Sequence, residues 1–324
     1  MFAAHLGWNE VVALLLESGA GGTVVDTRDK NYATALSLAV ISGHFATVQR
    51  LLEANASCKI KDKTGATMVI IAARNGHLPL LRLFLNSYKL SLNDRDTDGR
   101  TALSYAAEFG HKDVVHYLLE QLSLAEVDTL DRQDQTALVW ACKKGYCVII
   151  SLLKDHGADH KHKDRNGRTP FSHAAEKGQT TVLRHLLLLE EENKENSLKM
   201  LEWKDDAGRT ALSWAAEEGR LETVRLLLRW GTDPLSSNKR KMTPRMFALD
   251  KGHTQVAKLL ASDHTSSGLI PGNAIPITRQ PSLPVNLPPL KNSAIESEND
   301  SSASISALNL SGQATGASGG GIST

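Results

Sequence analysis

Between Gly99 and Gln121 the chain reads GRTALSYAAEFGHKDVVHYLLEQ, with its apolar positions in two short groups separated by a glycine. The first group follows Thr101, whose hydroxyl is suited to accept from an orphan N–H at the start of a helix. Ala106 and Ala107 are small enough to let a neighbouring helix approach closely. Gly110 suits the left-handed residue that closes such a helix. Val114, Val115, Leu118 and Leu119 then follow at i, i+1, i+4 and i+5, one apolar face of a second helix. The pattern predicts two short helices joined by a tight turn.

The same template recurs along the chain. Its threonine returns at Thr34, Thr67, Thr101, Thr136, Thr169, Thr210 and Thr243, at intervals of 33, 34, 35, 33, 41 and 33. Five residues after each stands an alanine, from Ala39 to Ala248, and nine after each a glycine, from Gly43 to Gly252. One helix pair cannot bury its apolar face alone, but stacked neighbours can, so the unit implies an array. Ala3, Ala4 and Gly7 fit the same offsets, with VVALLLESGA as a second helix, so the chain opens inside a unit. Met1 to Ala20 reads either as a degenerate cap or as part of a longer array. The second reading is preferred and expects a T-x-L segment encoded just upstream.

These units resemble ankyrin repeats. The segment DRNGRTPFSHAAEKGQ (164–179) is close to the family pattern D-x-x-G-x-T-P-L-H-x-A. The resemblance covers residues 1–262. It implies an all-α solenoid of stacked helix-turn-helix units with short β-hairpin-like fingers, here DTDG (96–99), DRNG (164–167) and DDAG (205–208). Tyr32, Asp134 and Lys241 replace the finger glycine in three units, and Arg245 stands where a core leucine belongs, as in a C-terminal cap. The LSYAA and LSWAA helices are similar to repeats of fungal ankyrin proteins. Eight extra residues before Thr210 are expected as a loop or longer helix within 189–203. Residues 263–324 hold six of the ten prolines and no Phe, Trp or Tyr. That composition cannot offset the entropy of ordering, so a disordered tail is expected, with PSLPVNLPPL (281–290) leaning to polyproline II.

Charge narrows the function. Lys plus Arg is 37 against 36 acids, a net charge of +1, without the basic excess of a dedicated nucleic-acid binder. No apolar run is long enough for a membrane span, and MFAAHLGWNE has no cationic start of a signal peptide. Three irregularly spaced cysteines argue against a disulfide framework and for an intracellular protein, cytoplasmic or nuclear. No phosphate-binding loop, H-E-x-x-H or CxxC occurs, so no enzyme, cofactor or metal is expected. His156, His160 and His162 read as loop residues, Cys142 as a buried thiol with Cys147 on the second helix, and the histidines after the turn glycines as structural.

In three units an arginine before the threonine is matched by a glutamate after the alanine pair: Arg100 with Glu108, Arg168 with Glu176, and Arg209 with Glu217. Where the arginine is missing the glutamate is too, as in Gln135 with Lys143. A pair closing the finger on the first helix is expected. The family resemblance also puts these positions on a concave groove that binds another protein. The expected partner-binding residues are Arg100, Glu108, Phe109, Gln135, Lys143, Lys144, Arg168, Glu176, Lys177, Arg209, Glu217 and Glu218. Their charge runs acidic, basic, acidic, so a partner of alternating charge is expected, and reversal of Lys143 with Lys144 is expected to weaken binding without unfolding. Leu38, Ile71, Tyr105, Trp140, His173, Trp214 and Phe247, four residues after each threonine, read as packing between units rather than an aromatic binding ladder. NKRKM (238–242) offers a weak nuclear signal. RQPSLP (279–284) resembles a phosphoserine ligand for 14-3-3 proteins centred on Ser282, where phosphate adds about −1.5 to −2 charge. The leading expectation is a protein-binding scaffold. The alternatives are the C-terminal sensor array of a larger signalling NTPase or multidomain protein, truncated at its N-terminus, and a nuclear or transcription-associated regulator.

Overall fold

The computed structural model describes residues 1–18, 25–188 and 199–266, with side chains as far as 261. Seven helix pairs follow one another: Ala35–Ser42 with Phe45–Glu53, Met68–Arg74 with Leu78–Arg82, Ala102–Phe109 with Lys112–Gln121, Ala137–Lys144 with Cys147–Asp155, Pro170–Lys177 with Thr180–Leu188, Ala211–Glu217 with Leu221–Arg229, and Pro244–Asp250 with Thr254–Ser266. A shortened pair, Phe2–His5 with Asn9–Glu17, precedes them. Within each unit the two helices pack together, and each first helix packs on the first helix of the next unit. The result is an all-α repeat solenoid with one apolar core running from Ala3 to Leu260.

The threonines perform the capping their spacing predicts. All seven hydroxyls accept from the backbone N–H three residues further on. In the Thr34, Thr169 and Thr210 units the serine at that position accepts from the threonine N–H in return. Each such cap is worth about 1 kcal/mol. Two residues after the cap in the first six units, Leu36, Val69, Leu103, Leu138, Phe171 and Leu212 are all buried. Arg245 takes this place in the last unit and is exposed, as expected of a cap.

The fingers are tight turns, and no strand is assigned among the described residues. Asp96 N–H donates to the Arg100 carbonyl at 3.1 Å, and Gly99 N–H to the Asp96 carbonyl at 3.1 Å. Neighbouring fingers are joined by one backbone bond each: Lys63 to Asn31, Thr97 to Thr64, Arg132 to Asp98, Arg165 to Gln133, Asp206 to Asn166 and Lys239 to Ala207, at 2.8–3.1 Å. Tyr32, Asp134 and Lys241 hold φ of 60°, 57° and 63°, the left-handed conformation that glycine supplies in the other fingers.

The turn glycine between the two helices meets a second demand. A Cβ on Gly43 would lie 2.5 Å from the His77 ring of the next unit, and one on Gly76 would lie 2.6 Å from His111. The same histidines reach back to a carbonyl of the preceding first helix, His77 Nε2 to Ile41 O at 3.0 Å and His111 Nε2 to Arg74 O at 2.8 Å. Gln179 and Arg220 make the same strut to Lys143 O and Glu176 O. The structural role expected of the histidines is therefore specific: each locks one unit onto the last.

Two elements were not foreseen. The second helix of the Thr67 unit continues as a π-helical turn over Leu83–Ser87, for which the sequence offers no evident cause. A short helix, Leu124–Val127, opens with a capping box in which Ser123 and Glu126 bond reciprocally. The expected insertion at 189–203 falls mostly outside the described residues. So do the tail expected from 263 and Ser282, although the last helix itself runs to Ser266.

Candidate protein-recognition surface

Five residues before each threonine stands a residue whose importance the sequence reading missed: Asp29, Asp62, Asp96, Asp131, Asp164, Asp205 and Asn238. Oδ1 of Asp96 accepts from the N–H groups of Asp98 and Arg100, both at 2.9 Å, and so fixes the finger. Asp131 and Asp164 do the same. Their second oxygen then takes a hydrogen bond from the first helix. Tyr105 Oη donates to Asp96 Oδ2 at 2.6 Å, Trp140 Nε1 to Asp131 at 3.1 Å, His173 Nε2 to Asp164 at 2.9 Å and Trp214 Nε1 to Asp205 at 3.1 Å.

Three of the rings held this way are stacked with cations. The Arg100 guanidinium lies 3.9 Å from the Tyr105 ring and 4.1 Å from Trp140 of the next unit. Lys143 Nζ lies 4.2 Å from Trp140, and Trp214 sits between Arg168 at 3.8 Å and Arg209 at 3.5 Å. Such contacts contribute about 0.5–2 kcal/mol each, more when desolvated. The aromatic series thus packs between units.

The expected charge pairs are present. Arg100 bonds Glu108, Arg168 bonds Glu176, and Arg209 Nη1 meets Glu217 Oε2 at 2.9 Å. In the Thr136 unit Lys143 Nζ donates to Gln135 Oε1 at 2.7 Å, the neutral counterpart of the same pair. The side chains of Arg100, Glu108, Arg168 and Glu176 are only 11–14% exposed. Burial works against the Glu176 carboxylate, yet bonds from Lys177 and Arg168 hold it down at about 2. Asp164 is held at about 2 against burial by His173 and the N–H groups of Arg168 and Asn166. Burial pulls His173 below its ordinary value, Arg168 and Lys143 adding to the effect while Asp164 opposes it. Burial, with Arg168 nearby, also pulls Lys143 down to about 8.

The twelve expected residues therefore divide into two rows. Gln135, Arg100, Arg168, Arg209, Glu108, Lys143, Glu176 and Glu217 form an inner row, buried or half-buried and occupied with one another. Phe109, Lys144, Lys177 and Glu218, each eight residues after its threonine, form an exposed outer row, one side chain per unit. Phe109 is stacked between Tyr105 and His111 at centroid distances of 6.4 and 6.5 Å. Lys144 reaches back to Glu108 at 3.4 Å, and Lys177 lies 2.7 Å from Glu176. Because Lys143 belongs to the inner row, reversing its charge would place an acid against Gln135 and the Trp140 ring, so Lys144 alone is the informative substitution.

The remaining chemistry-bearing residues are separately engaged. His156 Nδ1 bonds Leu152 O, His162 Nε2 bonds Asp134 O, and His160 Nδ1 lies 2.7 Å from Lys154 Nζ. Among the described residues no three His, Cys, Asp or Glu side chains converge on a metal-sized site. Cys142 is buried, which pushes its thiol up, and Cys147 is half-buried at the start of the second helix. NKRKM forms the last finger, with Asn238 Oδ1 accepting from Arg240 and Met242 N–H. No described helix is long and apolar enough to cross a membrane.

Capped helix pairs, bonded fingers and struts define a repeat protein of the ankyrin class. The family model for ankyrin repeats (3 copies) matches residues 1–62, 47–131, 120–197 and 188–269, and the chain belongs to this family. It is similar to the ankyrin repeat protein YahD of Escherichia coli, 32% identical over 162 residues, 48% of this chain and 80% of that protein. Ankyrin repeat protein nuc-2 of Neurospora crassa is 27% identical over 276 residues, 82% of this chain but 25% of its own length. Glycerophosphocholine phosphodiesterase GDE1 of Candida albicans is 28% identical over 198 residues, 57% of this chain and 17% of the enzyme. The chain thus spans a small part of two of these relatives.

Proposed function

We propose that the chain recognises another protein along the outer row and the exposed finger tips, and that residues 1–262 are the binding module with 263–324 as a tail. The observation that supports this is the division into rows. The inner row is largely buried and paired, while Phe109, Lys144, Lys177 and Glu218 stand exposed in register at one position of four consecutive units. Their order, apolar then basic, basic and acidic, favours a partner segment offering an apolar side chain, two acids and a base in sequence. This refines the alternating charge expected from sequence, because Glu108 and Glu217 are already paired with arginines and Lys143 is engaged by Gln135 within the array. A standard interface would bury about 800 Å² on each partner. Affinity purification with quantitative mass spectrometry tests the reading. The double substitution Phe109→Ala, Lys144→Glu is expected to deplete the specific partner at least about tenfold, with unchanged circular dichroism. Equal recovery would overturn it.

A second reading has a specific support: the match covers only 17% and 25% of two far longer relatives. On that reading the array is the sensor of a larger enzyme or signalling protein and its partner is another domain of the same polypeptide. Either reading suits a cytoplasmic or nuclear protein, with Ser282 phosphorylation recruiting a 14-3-3 protein as a separate contact of the tail.

A further inference from the structure

Charge is balanced at the Thr210 end of the exposed row and unbalanced in its middle. At that end Arg209 meets Glu217, and Arg220 lies 4.0 Å from Glu218. From the Thr101 to the Thr169 unit, the cations Arg100, Lys143, Lys144, Arg168 and Lys177 share two carboxylates, Glu108 and Glu176. Lys144 approaches a Glu108 that already holds Arg100, and Lys177 a Glu176 that already holds Arg168. The fingers do not restore the balance. Asp131 and Asp164 turn their oxygens to finger N–H groups and to Trp140 and His173.

The excess centres on Lys143. Seven residues after the cap, where the other central units have Glu108, Glu176 and Glu217, this unit places a cation. Its partner, the residue before the cap, is the neutral Gln135. Of the three N–H donors on Lys143 Nζ, one goes to Gln135 Oε1, and the ammonium lies over the Trp140 ring. Among the described residues no carboxylate forms an ion pair with it. Burial favours loss of its proton, and Arg168 and Lys177 of the next unit push the same way. Glu176 and Asp131 oppose them incompletely, which leaves Lys143 at about 8. Lys144 follows it on the same helix and Lys177 stands in the next unit, their side chains 46% and 45% exposed.

Resting on the outer-row reading above, we infer that the partner residue at this junction is a phosphorylated serine or threonine, its phosphate held by Lys143, Lys144 and Lys177. A phosphate monoester brings about −1.5 to −2 charge and three acceptor oxygens. A carboxylate brings a single charge and two oxygens. The phosphate is the closer match to unbalanced cations spread over two rows and two units, and it takes the place of the two acids read from the outer row alone. Phe109 and Glu218 bracket the junction, so the flanking partner residues are apolar on one side and basic on the other. A nucleic acid fits less well, because its continuous line of phosphates would run onto Glu218.

Arrays of short peptides with phosphoserine, glutamate or serine at the centre, otherwise randomised, are presented to the full chain. The phosphoserine arrays are expected to retain it at least about tenfold better than either other kind. Lys143→Gln, Lys144→Gln and Lys177→Gln are each expected to remove most of that preference with unchanged circular dichroism. Lys143→Gln keeps an amide N–H for Gln135. For the tightest peptide, calorimetry at the titration point of Lys143, in buffers of different ionisation heat, is expected to show uptake of up to about half a proton. The phosphate is already fully ionised there, so Lys143→Gln is expected to abolish the uptake. Equal retention on glutamate and phosphoserine arrays, both weakened by Phe109→Ala, would overturn the phosphate and leave the exposed row standing as a binding surface. Retention on no array would overturn it too, with partner capture that depends on Phe109 and Lys144 still deciding the row. Inorganic phosphate binding as tightly as the peptides, or single-stranded DNA binding undiminished by Phe109→Ala, would make the junction a site for free anions or nucleic acid and would equally overturn it.

Discussion

The four units from Thr101 to Thr210 and the units opened by Thr34, Thr67 and Thr243 share caps, turns and fingers but differ in how finger and helix are joined. In the central four, the finger aspartate both closes its turn and accepts from a ring on the first helix. In the flanking three, Asp29, Asp62 and Asn238 close the turn alone, because Leu38, Ile71 and Phe247 have no donor to offer. All four central units gain this hydrogen bond, and in the Thr101, Thr136 and Thr210 units the ring is also stacked with a cation. The difference teaches that one backbone template supports two grades of unit, and that the tighter grade lies beneath the exposed row.

The largest contrast is expected at the aspartate. Asp164→Ala removes two backbone acceptor bonds and leaves buried His173 without its partner, so a loss of about 3 kcal/mol is expected. Asp29→Ala removes only the turn closure, for about 1 kcal/mol. Urea melts of the two variants measure this, and equal losses would dissolve the distinction between units.

A smaller contrast is expected between interior and terminal glycines. At Gly110 a methyl group would meet both φ of +80° and the Tyr146 ring at 2.6 Å, and Gly110→Ala is expected to cost about 2 kcal/mol. At Gly252 no described atom lies within 4 Å, leaving only the backbone strain, about 1 kcal/mol. Thermal unfolding of the two variants ranks them.

The smallest expected effect is on the acid limb. Asp164 moves from an ordinary 3.8 and Glu176 from 4.5, each down to about 2 in the folded chain. The unfolded chain therefore takes up these protons first as pH falls. The stability they contribute is complete above the ordinary carboxylate range and is lost progressively from about pH 4.5 down to about 2. Asp164→Asn is expected to flatten that limb in chemical denaturation at pH 3 to 5, and an unchanged slope would assign acid sensitivity elsewhere.

Much of this was legible in sequence because three residue types met fixed geometric needs. Thr supplies a cap, Ala a close approach, and Gly a left-handed turn. The matched absence of Arg and Glu in the Thr136 unit also pointed to Gln135 and Lys143 as partners, and they are bonded. The inner and outer rows were not separable, because Glu108 and Phe109 are adjacent in sequence and only the path of the helix shows which one faces the finger. The finger aspartate was a fourth constant in the alignment of units, five residues before each cap, with Asn238 the single departure. Its bond to the ring nine residues later joins two elements that the helix periodicity treats separately. The short Leu124–Val127 helix was signalled by Ser123 and Glu126 at capping-box spacing.

Site-specific photo-crosslinking tests the central claim, recognition along the exposed row, most directly. A benzophenone side chain is placed in turn at Phe109, Lys144, Lys177 and Glu218, and at exposed Val148 on a second helix as the contrast. The account predicts that one and the same protein is captured from the first four positions and is absent from Val148. Capture of that protein from Val148 with none from the row would contradict it.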